Sequence, residues 1–181
     1  MSQSNALELR KGALIEHQNR MCTVIEWSIM RNDRRQYVFI TLKDLLTGRV
    51  SELKEHGDTK FEVLENEKVE LSHSYAEGPE EVFYDKEGNE FRCASAAAKD
   101  ALMWQCDSYI GFLVNGQLVT VSTPSSVIAT VKDTSPPMKG GNTSWKDAVL
   151  ENGVKLKVSN LVNVGDKVRV DPFTLEFRER A

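Results

Sequence analysis

Apolar and polar residues alternate with a period of two along most of the chain. The runs are short and bounded by turn-forming residues, so the pattern predicts an all-β protein. Strands are predicted over Ala13–His17 and Met21–Ile29, then over Tyr37–Leu46, where Tyr37, Phe39 and Thr41 alternate with Val38, Ile40 and Leu42. A turn at Thr47-Gly48 leads into Arg49–Lys54, and a further run alternates from Phe61 to Leu71 through Val63 and Val69. Glu81–Tyr84 and Glu90–Arg92 flank Lys86-Glu87-Gly88-Asn89, a hairpin signal. Ile110–Val114 and Gln117–Val121 flank Asn115-Gly116, a pair that tolerates the positive φ angles of a type I′ turn. In the last third, Val154, Leu156 and Val158 alternate with Lys155 and Lys157, followed by Val168 with Val170 and Leu175 with Phe177. One stretch breaks the period. Ala94–Cys106 is alanine-rich, lacks Gly and Pro, and is predicted helical with Ser95 as its cap.

Charge divides the chain further. The formal charge of −4 is uneven: residues 1–64 carry 10 Lys/Arg against 9 Asp/Glu, residues 65–127 carry 4 against 11, and residues 128–181 carry 9 against 7. The acidic middle is repelled by phosphate, so contacts with nucleic acid are expected from the two ends. One boundary is expected near Leu64–Glu67, where the balance turns acidic. A second is expected near Ile128–Thr130, ahead of the Pro136-Pro137 and Gly140-Gly141 loop. The expected domains are residues 1–64, 65–128 and 129–181, each a small barrel of a size that folds alone.

A hydrophobic share of 40 % and a charged share of 28 % are those of an ordinary soluble protein. No run approaches the length of a membrane span, and the polar start Met1–Asn5 leads straight into patterned sequence. No secretory leader and a cytoplasmic location are therefore expected. Cys22, Cys93 and Cys106 are odd in number and widely spaced, and His17, His56 and His73 are equally scattered. They read as reduced core thiols and isolated imidazoles, with no metal site and no cofactor expected. Glu80, Glu81 and Asp85 cluster beside a hairpin, but nothing else indicates the pocket that a catalytic pair needs.

Several motifs in order resemble one family. Leu9-Arg10-Lys11-Gly12 precedes a strand, and Thr41-Leu42-Lys43-Asp44-Leu45-Leu46-Thr47-Gly48 closes a strand and turn. Asn115-Gly116-Gln117 is followed by Thr123-Pro124, and Val131-Lys132-Asp133-Thr134-Ser135-Pro136 by Lys139-Gly140. Lys146, Ala148, Gly153, Val158 and Gly165 complete the series. From Leu9 to Arg178 the chain resembles the bacterial translation elongation factor P family, which comprises ribosome-binding factors and not enzymes. The resemblance implies an L-shaped arrangement of three small barrels: an SH3-like (KOW-type) N-terminal domain, then two OB-type barrels with one short helix in the middle domain. It implies a monomer that binds ribosomal RNA and ribosomal proteins between the P and E sites. There the family promotes peptide bonds at proline runs by positioning the CCA end of the P-site tRNA.

The family carries a modified residue, usually a lysine in a Pro-Gly-Lys-Gly context, on a tip loop of the first domain. The matching segment here is Met30-Arg31-Asn32-Asp33-Arg34-Arg35-Gln36, without lysine, proline or glycine. Counting from the preceding strand puts Arg34 at the tip, and counting back from Thr47-Gly48 puts Asp33 there. Arg34 is the expected modification site, because a carboxylate pushed toward RNA is repelled. An unmodified or atypically modified arginine is expected. Arg31, Asn32, Asp33, Arg34 and Arg35 are the expected contacts to the P-site tRNA and the peptidyl-transferase centre, since arginine binds phosphate bidentately and stacks on bases. Trp27, Tyr37 and Phe39 flank this loop, and at least two of them are expected in the core. Lys155 and Lys157 are expected to share an outward face and, with Lys167 and Arg169, to meet tRNA or the small subunit. Two other readings are an elongation-factor-P-like paralogue with different motif specificity and a general OB-type RNA-binding protein.

Overall fold

The structure, a computed structural model, describes residues 2–32, 35–137 and 144–181, and of Asn32 the backbone alone. It is all-β with one short helix. The first sheet contains β1 (Ser2–Asn5), β2 (Leu14–His17), β3 (Arg20–Asn32), β4 (Arg35–Asp44), β5 (Val50–His56) and β6 (Lys60–Val63), in the order β1-β6-β2-β3-β4-β5. The second contains β7 (Glu67–Glu77), β8 (Glu80–Tyr84), β9 (Glu90–Ala94), β10 (Tyr109–Val114) and β11 (Gln117–Ser122), in the order β11-β10-β7-β8-β9, with helix α1 at Ser95–Leu102. The third contains β12 (Val127–Thr134), β13 (Trp145–Leu150), β14 (Lys155–Ser159), β15 (Lys167–Asp171) and β16 (Glu176–Arg180), in the order β14-β13-β12-β15-β16.

Two compact units result. One comprises residues 1–99 and 111–121, the other residues 100–110 and 122–181. In the first unit, Ala6, Leu9, Ile15, Cys22, Val24, Val38, Ile40, Leu42 and Phe61 form one apolar cluster inside the first sheet. A second cluster joins Leu14, Leu45 and Leu64 to Ala97 and Val119, with Phe112 and Val114 packed against it. Gly48 sits beside it because a positive φ of 72° brings its backbone against the Ala96 methyl, where an added Cβ stands 3.2 Å away. In the second unit, Trp104 is buried among Val127, Val131, Leu150, Val158, Val168 and Val170, with Cys106 packed alongside. Tyr109 braces that segment, its hydroxyl donating to the Trp104 carbonyl at 2.7 Å.

The differences from the sequence pattern have physical reasons. The Phe61–Leu71 run is two strands in two sheets, interrupted at 64–66. The expected division between 128 and 129 falls inside β12, whose Val127 pairs with Val170. Helix α1 is shorter than Ala94–Cys106, and Ser95 does not cap it through its hydroxyl; that oxygen donates to Glu81 at 3.1 Å. Leu175 is not in a strand, since its φ of 57° belongs to the turn before β16. The Asn115-Gly116 hairpin forms as expected, with φ of 50° and 78°.

Aspartates hold three turns. Asp44 accepts from the amides of Leu46 at 2.8 Å and Thr47 at 3.0 Å and approaches Arg20 at 3.4 Å. Asp85 accepts from the amides of Glu87 and Asn89, and Asp171 from those of Phe173 and Thr174. The Thr47 amide leads in holding the Asp44 carboxyl below its ordinary range, against the effect of burial. The Asn89 side chain does the same for Asp85 and the Thr174 amide for Asp171. Hydrogen bonds to the charged form stabilise it.

Two outcomes are expected. A depressed carboxylate contributes stability above its unfolded pKa and loses it as pH falls through the lower folded value. Melting temperature should therefore hold from neutrality down to about pH 5 and drop below about pH 4. Asp44→Asn, which keeps an acceptor but no charge, should flatten part of that acid limb in a pH series of thermal melts. Separately, a Cβ on Gly111 collides with the buried Leu71 side chain and comes within 2.9 Å of Leu118 Cδ1. Gly111→Ala should cost about 1–3 kcal/mol in urea denaturation by overpacking.

Candidate nucleic-acid interface

The expected tip segment lies at the end of the β3–β4 hairpin. β4 pairs with β5 from Lys43↔Val50 to Tyr37↔His56, and the Gly57 amide then donates to the Gln36 carbonyl at 3.1 Å. β3 and β4 continue past that point through Arg31↔Gln36 to Asn32↔Arg35. The last rung is thus a two-stranded ribbon beyond the third strand. Asp33 and Arg34, including the expected modification site, lie outside the described residues, as does Lys139-Gly140 of the connecting loop.

A bulge sets which way this ribbon faces. The register shifts between Val24↔Leu42 and Glu26↔Thr41, so Ile25 is an extra residue on β3. Val24 and Trp27 therefore both point inward. Trp27 packs on the first-sheet core, donates its indole N–H to the Ala6 carbonyl at 2.9 Å and lies under the Arg10 guanidinium at 4.7 Å. On β4 the buried residues are Val38, Ile40 and Leu42. Tyr37 and Phe39 are half-buried on the opposite, outer face, which corrects the expectation that at least two of the three aromatics are core.

The arginines at the ribbon differ from most of the other described arginines. Arg92 is held by Glu77 and Glu90, Arg169 by Glu179 at 2.9 Å, Arg178 by Asp171 at 2.9 Å and Lys86 by Glu70 at 2.6 Å. Arg31 and Arg35 are exposed, and among the described residues neither has an ion-pair partner. Arginines without a carboxylate keep their donors available for phosphate.

The third sheet brings its expected cations together only in part. Lys155 and Lys157 are exposed on β14, between buried Leu156 and Val158. They line a groove with Trp145, Asp133 and Asp147. Lys167 and Arg169 lie on β15, separated from β14 by β13 and β12 in the sheet order. The sequence pattern missed Lys146 as an inward residue: it is buried on β13, and its ammonium donates to the Ser135 carbonyl at 2.6 Å.

The remaining candidates are used structurally. Glu81 accepts from Ser95 and meets the His73 ring at 2.8 Å, and Asp85 serves its turn. Cys22 and Cys93 are buried, and burial pushes the Cys93 thiol up to about 12, with the Glu81 and Glu80 charges adding to it. Among the described residues no group of three His, Cys, Asp or Glu is placed to hold a metal ion. No helix among them is long and apolar enough to cross a membrane.

Comparison with known proteins gives this ribbon a context. Residues 127–180 match the family Elongation factor P, C-terminal. Elongation factor P of Dechloromonas aromatica is 34 % identical over 180 residues, 97 % of each chain. That of Laribacter hongkongensis is 30 % identical over 183 residues, 97 % of this chain and 98 % of the other. Among solved structures, translation initiation factor 5A from Methanococcus jannaschii aligns at a TM-score of 0.46 with 13 % identity, covering 66 % of this chain and 93 % of that one. By these matches over nearly its whole length the chain falls in the class of translation elongation factors. It belongs to the elongation factor P family.

Because Arg31 and Arg35 lie outside both first-unit clusters, Arg31→Ala and Arg35→Ala should each change stability by less than about 0.5 kcal/mol. Both should elute from heparin at lower salt than the unsubstituted protein. A marked fall in melting temperature would show that these side chains are structural.

Proposed function

We propose that this chain binds the ribosome between the P and E sites and holds the CCA end of the P-site tRNA so that slow peptide bonds, above all at proline runs, can form. The observation that carries the reading is the β3–β4 ribbon, which takes Arg31 and Arg35 past the last supporting strand with no carboxylate paired to either among the described residues. Proline is a poor nucleophile with a constrained backbone, so orientation of the tRNA end is where a protein without a chemical group can accelerate the step. In this reading Arg31, Asn32, Asp33, Arg34 and Arg35 form the contact, with Arg34 foremost and bare or atypically modified. The three sheets serve as its three domains, and Lys155 and Lys157 meet tRNA backbone or the small subunit. The factor acts as a monomer in the cytoplasm.

A second reading is favoured by one feature: the segment 30–36 lacks the Pro-Gly-Lys frame of the family. An elongation-factor-P-like paralogue relieving a different set of motifs fits that loss. Ribosome profiling of a deletion strain separates the two by which codons gain occupancy.

The test is a translation assay on proline-run templates. Arg34→Ala should abolish most of the relief, and Arg34→Lys should restore only part, because lysine lacks the planar fork. Full relief by Arg34→Ala would overturn the role given to this residue. Intact-mass spectrometry of protein from its native host should show no lysine-type adduct on the 30–36 segment.

A further inference from the structure

The outer face of the same hairpin carries chemistry that the tip reading does not use. The registers of β3 with β4 and β4 with β5 line up consecutive rows on that face: Met30, Tyr37 and His56; then Ser28, Phe39 and Lys54; then Glu26, Thr41 and Glu52. Arg35 lies one row nearer the ribbon end, by the same parity. Neither aromatic ring belongs to a core cluster. The Lys54 ammonium stands 4.7 Å from the Tyr37 ring centre and 5.7 Å from that of Phe39, and the His56 ring lies 4.8 Å from Tyr37. Met30 is 49 % exposed beside them.

We propose that this face of the β3–β4–β5 ladder is an RNA-binding platform, on which unpaired nucleotides stack against Tyr37 and Phe39 while Lys54 and Arg35 meet their phosphates. The proposal deepens the reading above and rests on it for the source of the RNA. Charge selects the occupant: cations flank the two rings, while Glu26 and Glu52 close the far row, so a polyanion is drawn to the half nearest the ribbon end and repelled beyond Thr41. Geometry selects the strandedness. Two residues along β4 separate the rings by roughly 7 Å, a spacing suited to splayed single-stranded bases. A paired duplex presents no free base faces to such rings. A base arriving on Tyr37 or Phe39 takes the ring face that Lys54 now covers, and the displaced ammonium moves to the adjoining phosphate. Ser28, opposite Phe39, is small enough to leave that ring open from the β3 side.

Fluorescence anisotropy with the full chain tests this, using a labelled unpaired RNA octamer and a hairpin duplex of the same composition at low salt. The octamer should bind more tightly than the duplex. Tyr37→Ala and Phe39→Ala should each weaken it by about tenfold, in line with the usual loss of one stacked base. Lys54→Glu, a change at an exposed position outside the core clusters, should weaken it at least as much, and Phe39→Tyr should retain binding. No binding of the octamer, equal binding of both RNAs, or unchanged affinity in the aromatic and Lys54 variants would each overturn the platform. The two proposals fail separately. If the aromatic variants bind normally while Arg34→Ala loses proline-run relief, the platform falls and the tip reading stands. If Arg34→Ala keeps full relief while Phe39→Ala and Lys54→Glu lose both binding and relief, the platform stands and the tip reading falls.

Discussion

The register of β3 against β4 is the constraint on which the first unit depends. A slip of one residue exchanges every inward side chain for an outward one. With Trp27 opposite Ile40 and Val24 opposite Leu42, the inward row closes over the first-sheet core, and the row of Tyr37 and Phe39 is left outside. The bulge at Ile25 allows Val24 and Trp27 both to face the core, since a strict alternation from Val24 puts Trp27 on the solvent side. The same ladder fixes the ribbon, because pairing that continues to Asn32↔Arg35 makes Arg31 and Arg35 extensions of a sheet. A charge carried on paired strands loses less conformational freedom on binding than one on an open loop.

Electrostatics then separates structural from available charge. The second sheet uses its few cations internally, as when Arg92 gathers Glu77, Glu90 and, more distantly, Glu80. The third sheet does likewise through Arg169, Arg178 and Arg180. Among the described residues, the arginines of the first sheet's hairpin without such partners, Arg31 and Arg35, stand at one end. In a body of net charge −4, that places the attraction for phosphate where the ribbon is and repulsion over the acidic middle.

The sequence made the strand-rich class and the Asn115-Gly116 hairpin legible, because each depends on local chemistry. It did not reveal what depends on partners distant in the chain. Tyr37 and Phe39 alternate with Val38, Ile40 and Leu42, and both rows are apolar, so only the sheet's other strands decide which row is buried. β13 was hidden by Lys146, a charged residue at an inward position whose ammonium is satisfied by the Ser135 carbonyl. β1 is wholly polar and forms because its backbone completes the edge of β6, from Ser2↔Val63 to Asn5↔Lys60. That Trp104 fills the core containing Val127 and Val168 is likewise a tertiary fact.

The unusual tip sequence fits the ladder that carries it. A frame of proline and glycine makes a loop that leaves the strands early and takes its shape from those residues' own dihedral preferences. Here the strands stay paired until only residues 33 and 34 separate Asn32 from Arg35. The segment therefore needs no proline or glycine to bring its arginines to the end, since the ladder does so through ordinary backbone hydrogen bonds. The two ways of counting to the tip, ending on Asp33 or on Arg34, differ by one step within the same two-residue connection. Arg31 and Arg35 on paired strands are thus held more stiffly than side chains on an open loop would be. Arginine suits the stiffer device, because its planar fork gains from being held at a fixed angle while a lysine ammonium does not.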